Sequence, residues 1–90
     1  MEISDIRIKL VANDSNLKAY ASFTIDGVFA VHDCRIIEGA NGCFVSMPQK
    51  RSATGKWDIV HPINTKTREQ ITEALVKAYE LEKEKANAEA

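Results

Sequence analysis

The sequence predicts an α+β fold, an antiparallel β-meander of about five strands followed by one C-terminal amphipathic helix. Apolar and polar residues alternate from residue 3 to residue 10 and again over residues 17–25, which is the pattern of strands that are buried on one face. From residue 65 onwards the apolar residues instead recur three and four positions apart, which is the period of a helix. The 90 residues suffice for one domain, which we place at residues 1–80, with a charged tail at 81–90 that frays into solvent.

The first two strands follow from strict alternation. In the first strand Ile6 and Ile8 face one way, and Arg7 between them faces the other. A turn is predicted at residues 13–16, because Asn, Asp and Ser side chains hydrogen-bond to their own backbone. The second strand then alternates over residues 17–25. Its predicted inward positions are Leu17, Ala19, Ala21, Phe23 and Ile25.

Two hairpin turns are predicted next. The pair Asp26 and Gly27 stands between two strand-like runs, and glycine readily adopts the positive φ that a tight hairpin turn requires. It leads into the run "VFAVHDCRII", the third strand. The pair Asn41 and Gly42 gives the same signal before the short run "CFVSM", the fourth strand, which ends at Pro48.

The last strand and the helix complete the predicted fold. The run "WDIVH" predicts a fifth short strand, and Pro62 ends the sheet region because proline cannot donate a hydrogen bond to a ladder. Either Thr65 or Thr67 can cap the start of the helix that follows. The apolar stripe of this helix, which is predicted to cover one face of the sheet, consists of Ile71, Ala74, Leu75, Ala78 and Tyr79.

Composition limits the classes of partner and compartment. Twelve basic and 13 acidic residues give a formal charge of −1, so the total charge favours neither nucleic acid nor a membrane surface as a partner. No apolar run is long enough to span a bilayer, and the N-terminus does not resemble a signal peptide. We therefore expect a cytoplasmic protein with two free thiols. A chain of this size buries a modest core, which favours a homo-oligomer.

Neither a metal site nor a catalytic site is predicted. The set His32, Cys34, Cys43 and His61 contains the ligand types of zinc, but its spacing does not match that of a structural zinc site. Strand alternation places His32 and Cys34 on one face and Asp33 on the opposite face, so "HDC" cannot form a catalytic relay. No glycine-rich phosphate loop precedes a helix. We expect no enzymatic activity, no cofactor, no bound metal and no small-molecule substrate.

Two other features have simple structural interpretations. Asp33 and Arg35 lie two residues apart on one predicted strand face, where opposite charges can form an ion pair. Trp57 is a single tryptophan, which is more typical of a core or interface anchor than of a base-stacking platform.

The segment after Pro48 is the remaining candidate for function. It carries Lys50, Arg51 and Lys56 within nine residues and contains no acidic residue. Such a segment can be a solvated connection between strands. It can also bind phosphates, because the arginine fork matches phosphate oxygens and lysine supplies a mobile charge, while Gln49 and Ser52 can add hydrogen bonds. The residues alone leave both interpretations open.

Three stretches carry a distinctive set of residues at fixed spacing: "EISDIRIKLV", "VHDCRIIEGANGCFVSMPQKR" and "DIVHPINTKTR". In them the sequence resembles the stage V sporulation protein G (SpoVG) family, also called "putative septation protein", over about residues 1–80. The resemblance implies a small, dimeric, cytoplasmic bacterial regulator. Such a regulator binds nucleic acid and influences septation or cell division, sporulation and gene expression.

The resemblance also implies a binding site. Basic residues after Met-Pro are associated with DNA binding in the family, and this carries over to Lys50 and Arg51. Cys34 and Cys43 stand where similar sequences carry aliphatic residues, which favours core positions for both. Our first hypothesis is a dimeric DNA-binding regulator, with RNA as a further ligand. The alternative is a protein-interaction module of the division machinery that does not bind nucleic acid directly and acts through a sheet edge or the helix surface.

Overall fold

A computed structural model describes residues 1–11 and 15–89 of the chain, with side chains described up to residue 86. The predicted α+β class is confirmed, and residues 13 and 14 of the predicted turn at 13–16 lie outside the described residues. The described elements follow in the order β1 (Ile3–Leu10), β2 (Leu17–Ile25), β3 (Phe29–Gly39), β4 (Gly42–Ser46), β5 (Gln49–Ser52), β6 (Gly55–Asp58) and α1 (Thr65–Glu89).

The first four strands form one antiparallel meander in the order β1-β2-β3-β4. Its two predicted hairpins are confirmed. At the first turn Asp26 and Gly27 have φ angles of 51° and 69°, and the Val28 amide donates to the Ile25 carbonyl at 3.0 Å. Positive φ at both central residues is what a type I′ turn requires. At the second turn, Gly42 at the start of β4 has a φ of 116°.

The prediction that the meander has a fifth strand is wrong. Strands β5 and β6 instead pair with each other in a separate two-stranded sheet, which we call the ribbon. Residues 49–52 contain no apolar side chain and are all exposed, so β5 shows none of the alternation that predicts a strand. Strand β6 ends at Asp58 rather than continuing through "WDIVH". Trp57 is 47% exposed within the chain, so it is not a core residue.

The core lies between the meander and α1. Helix α1 packs against one face of the meander, which we call the inner face, and leaves the opposite, outer face uncovered. Leu75 is fully buried at the centre of the helix stripe. The helix is capped by Asn64 and not by a threonine, because the Thr67 amide donates to Asn64 Oδ1 at 2.7 Å. The buried core residues are Ala19, Ala21, Phe23, Val31, Cys34, Ile36, Val45, Met47, Ile71, Leu75 and Tyr79.

Two β-bulges change which side chains face the core. Asp5 in β1 and Asp33 in β3 have φ angles of 48° and 63°, and at both places one strand carries an extra residue relative to β2. As a result His32 is exposed whereas Cys34 is buried, so the prediction that these two side chains share a face is wrong. Aspartate tolerates the left-handed region better than most residues, which explains its presence at both bulges.

Helix α1 is longer than the part that packs on the sheet. Among the side chains described up to residue 86, the last buried one is Tyr79, while the helix itself extends to Glu89. The fraying of residues 81–90 stays a prediction. Among the described residues, α1 is too polar to qualify as a membrane-crossing helix, and no other helix qualifies either.

Candidate nucleic-acid interface

The ribbon presents its basic residues on two different faces. Its register places Arg51 opposite Lys56 and Lys50 opposite Trp57. Residues that are directly opposite in an antiparallel pair share a face, and successive residues of a strand point to opposite faces. Lys50 and Arg51 are adjacent in sequence and were predicted to act together. The structure instead groups Arg51 with Lys56 on one face and Lys50 with Trp57 on the other.

The face with Arg51 and Lys56 borders a shallow depression against the meander. Four side chains line this depression: Arg35, Gln49, Arg51 and Lys56. None of its three cationic side chains forms an ion pair with a carboxylate of the described residues. We call this group the cationic depression. It is an arrangement of two guanidinium groups and one ammonium group with a neutral amide beside them.

Arg35 is the member of this group that the sequence analysis missed. It was predicted to pair with Asp33, but the ion pair found among the described residues joins Lys18 Nζ and Glu38 Oε2 at 3.6 Å. The bulge at Asp33 breaks the alternation on which the predicted pair depended. No local signal connects Arg35 to the ribbon, because their proximity depends on the chain turning back after Pro48.

Short hydrogen bonds fix the ribbon next to this depression. Gln49 Nε2 donates to Asp58 Oδ1 at 3.1 Å, which engages the carboxylate that lies on the same face as Arg51. The Ile59 amide donates to the Pro48 carbonyl at 2.7 Å and extends the ladder beyond the strand ends. Like charges placed directly opposite each other destabilise a strand pair, so the pairing of Arg51 with Lys56 is by itself unfavourable.

Ser52 has a structural role at the turn of the ribbon. Its Oγ accepts a hydrogen bond from the Thr54 amide at 3.2 Å and lies 3.0 Å from Thr54 Oγ1. The hydroxyl therefore already has partners within the turn. Of the predicted site residues Gln49, Lys50, Arg51, Ser52 and Lys56, three line the cationic depression, Lys50 lies on the reverse face and Ser52 holds the turn.

The structure does not bring together the four side chains that resemble a zinc set. Cys34 is buried and Cys43 is half-buried on the inner face, whereas His32 and His61 are exposed. His61 Nδ1 lies 3.2 Å from the carbonyl of Pro62, a local contact at the turn before α1. Within the part of the chain that the structure describes, no group of three or more His, Cys, Asp or Glu side chains could hold a metal ion.

The buried thiol of Cys34 makes the stability of the fold depend on pH in the alkaline range. Burial raises its pKa from 9.0 to about 11, and the neighbouring Asp33 carboxylate adds to the rise. Between these values the unfolded chain loses this proton and the folded chain keeps it, so the free energy of unfolding falls as pH rises. The fall contributed by this thiol approaches about 1.4 kcal/mol per pH unit.

Cys34→Val should remove that contribution. Urea unfolding of the wild type and of Cys34→Val between pH 8 and pH 11 should show the wild type losing stability relative to the variant across the interval from 9.0 to about 11. Cys43→Val, a change at the half-buried thiol, is the matched control. Parallel pH curves for the wild type and Cys34→Val would contradict the assignment.

Comparison with known proteins agrees with the resemblance. A sequence model of the SpoVG family matches residues 1–81. The "Putative septation protein SpoVG 1" of Listeria monocytogenes is 51% identical over 87 residues, 96% of this chain and 85% of that protein. The "Putative septation protein SpoVG" of Macrococcus caseolyticus is 47% identical over 81 residues, which make up 89% of this chain and 70% of that protein. The "Putative septation protein SpoVG" of Clostridium novyi is 45% identical over 84 residues, which make up 92% of this chain and 84% of that protein.

Proposed function

The chain belongs to the SpoVG family, and from this membership and the cationic depression we propose that it is a non-enzymatic, dimeric regulator that binds DNA or RNA. Its relatives are named for septation and the family for sporulation. We place the protein in the cytoplasm, acting on gene expression in septation and sporulation. Its ligand on this proposal is the phosphate backbone.

The observation that carries the proposal is the convergence of Arg35, Arg51 and Lys56 without an ion-pair partner among the described residues. If these cations only kept the protein soluble, side chains from the meander and from the ribbon would not need to lie next to each other. A phosphate group offsets their mutual repulsion, because a guanidinium group donates two parallel hydrogen bonds to an oxyanion. The formal charge of −1 means that the attraction comes from this arrangement and not from the total charge.

The reverse face of the ribbon fits the same ligand. Lys50 lies there opposite Trp57, so the ribbon carries a cation on each face. A two-stranded ribbon fits the width of the major groove of B-DNA. On this proposal Lys50 and Arg51 contact different phosphates, Arg51 at the cationic depression and Lys50 on the reverse face of the ribbon.

The dimer on this proposal is held by an apolar surface at the end of the meander where β2 turns into β3. Val28 and Ile63 are 86% and 89% exposed, and Ile63 lines a cavity of about 320 Å³ together with Met1 and Ile25. A domain of this size is marginal as a monomer, and burial of this surface in a second copy would stabilise it.

Sedimentation at micromolar concentration tests the dimer. We expect the wild type to sediment as a dimer and Ile63→Asp as a folded monomer, because an exposed position tolerates the change and a buried contact does not. Leu81→Asp is the matched control, an exposed apolar residue on α1 far from the cavity lining. Dissociation by Leu81→Asp instead of Ile63→Asp would place the contact on the helix, and a monomeric wild type would refute the dimer.

Replacing Arg51 and Lys56 together by alanine tests phosphate binding. Both side chains are exposed, so the fold should survive. Affinity should fall for all sequences, since phosphate contacts position a protein without reading bases. The slope of log affinity against log salt should flatten by about 0.9 per lost contact on duplex DNA and about 0.7 on a single strand.

The matched control is Lys66→Ala with Arg68→Ala, which removes the same two charges from exposed positions at the start of α1. Fluorescence anisotropy with labelled DNA and RNA, measured across salt concentrations, gives both affinity and slope. A folded Arg51→Ala/Lys56→Ala variant with unchanged affinity and slope would mean that the ribbon is a solvated connection. Equal losses in the control would mean that only total charge matters.

A further inference from the structure

The uncovered outer face of the meander carries a row of two cations with an aromatic ring between them. The register places Lys9 opposite Tyr20 and Tyr20 opposite Arg35. Strand alternation directs all three away from the core, since their neighbours Ile8, Ala19 and Ile36 face α1. Tyr20 is 39% exposed at the centre of the row. Arg35, at one end, also lines the cationic depression, so the row continues into the ribbon.

A second aromatic ring lies on the same face. Phe44 in β4 is 48% exposed, and its neighbours Cys43 and Val45 face the core. The ring packs over Gly39 of β3, where an added Cβ would lie 3.2 Å from Phe44 Cε1. A side chain at that position would displace the ring. The glycine therefore allows Phe44 to lie against the neighbouring strand with its other side in solvent.

Charge is distributed unevenly along this face. Arg7 and His32 lie around Ser22, next to the bulges that carry Asp5 and Asp33. Asp5 lies nearer the β2–β3 turn, whereas Asp33 lines the same depression as Lys9 and Tyr20. Around Tyr20 the cations Lys9 and Arg35 therefore outnumber this one carboxylate. The end of the face away from the β2–β3 turn holds both aromatic rings together with Lys9 and Arg35 and leads to the cationic depression.

We infer that the outer face is a platform for single-stranded nucleic acid, with bases stacked on Tyr20 and Phe44 and phosphates held by Lys9 and Arg35. This inference rests on the proposed function and adds to it the form of the ligand. Every base has a flat π-face, so stacking on an exposed ring is tolerant of sequence, and nearby cations hold the backbone. The strand then runs on to Arg51 and Lys56 of the ribbon.

The spacing of the two rings excludes a stacked duplex. Neighbouring strands lie about 4.8 Å apart and a residue advances about 3.4 Å along a strand, so Tyr20 and Phe44 are roughly 12 Å apart. Successive nucleotides of a duplex strand advance about 3.4 Å, and the faces of their bases are covered by their neighbours. Only an extended strand with unstacked bases presents base faces to both rings.

The charge of this surface argues against a second copy of the chain as its occupant. Two outer faces brought together would place Lys9 and Arg35 of one protomer near the same cations of its partner, which repel. The apolar surface around Ile63 is better suited to contact with a second copy of the chain. A polyanion with flat apolar bases complements both features of the outer face, its cations and its rings.

The test removes the rings and keeps the shape of the strands. Tyr20→Ile and Phe44→Ile retain a side chain suited to a strand but cannot stack, whereas Tyr20→Phe and Phe44→Tyr keep an aromatic ring and are the matched controls. The probes are a labelled oligo(dT) and a labelled duplex of equal length. We expect each isoleucine variant to lose about fivefold to 150-fold in affinity for oligo(dT), with little change on the duplex. The aromatic controls should bind as the wild type does.

Failure of the inference and failure of the proposed function give different results. If the wild type and all variants bind neither probe, both fail. If Arg51→Ala/Lys56→Ala weakens binding while the folded isoleucine variants bind oligo(dT) as the wild type does, the platform is refuted and the proposed function stands. If the isoleucine variants sediment as monomers, a second copy occupies the outer face and the inference is overturned. Circular dichroism confirms that each variant is folded.

Discussion

One helix cannot cover both faces of a four-stranded sheet, and this constraint determines the rest of the molecule. Helix α1 buries Ile71, Leu75 and Tyr79 against the inner face, and this contact supplies most of the core that a 90-residue chain can build. The outer face must then carry side chains that are stable in water. Polar and charged side chains satisfy that requirement, and so do rings with one face in solvent, which leaves a broad surface on which a ligand can lie.

The same constraint accounts for the separate ribbon. Once the chain has passed β4, the inner face is taken by the helix, and residues 49–52 have no apolar side chain to bury. They pair instead with residues 55–58 and stand beside the meander. The ribbon therefore brings Arg51 and Lys56 next to Arg35 of the main sheet. The two basic regions form one continuous surface, although they are separated in the sequence.

Some of this architecture could be predicted from the sequence because the signals are local. Alternation in β1 and β2, the Asp26-Gly27 turn and the apolar spacing of α1 each depend on neighbouring residues. The ribbon could not be found in this way, since an exposed two-stranded element needs no apolar alternation. The bulge at Asp33 was also missed, because its extra residue is defined only by the partner strand.

The candidate site shows the same limit. Composition and resemblance pointed to Lys50 and Arg51, which are adjacent in sequence. Their separation onto two faces depends on the ribbon being paired, and the grouping of Arg51 with Arg35 depends on the path of the chain between two sheets. Sequence spacing alone could identify the cations but not their partners in space.

Lysine footprinting tests most directly whether nucleic acid lies on the outer face and the ribbon. The folded protein would be acetylated with and without saturating oligo(dT), and the modified lysines identified by mass spectrometry. The account predicts that oligo(dT) protects Lys9 and Lys56 and leaves Lys66 and Lys77, which are exposed on α1, as reactive as before. Protection of Lys66 and Lys77 with Lys9 and Lys56 still reactive would place the ligand on the helix and contradict it.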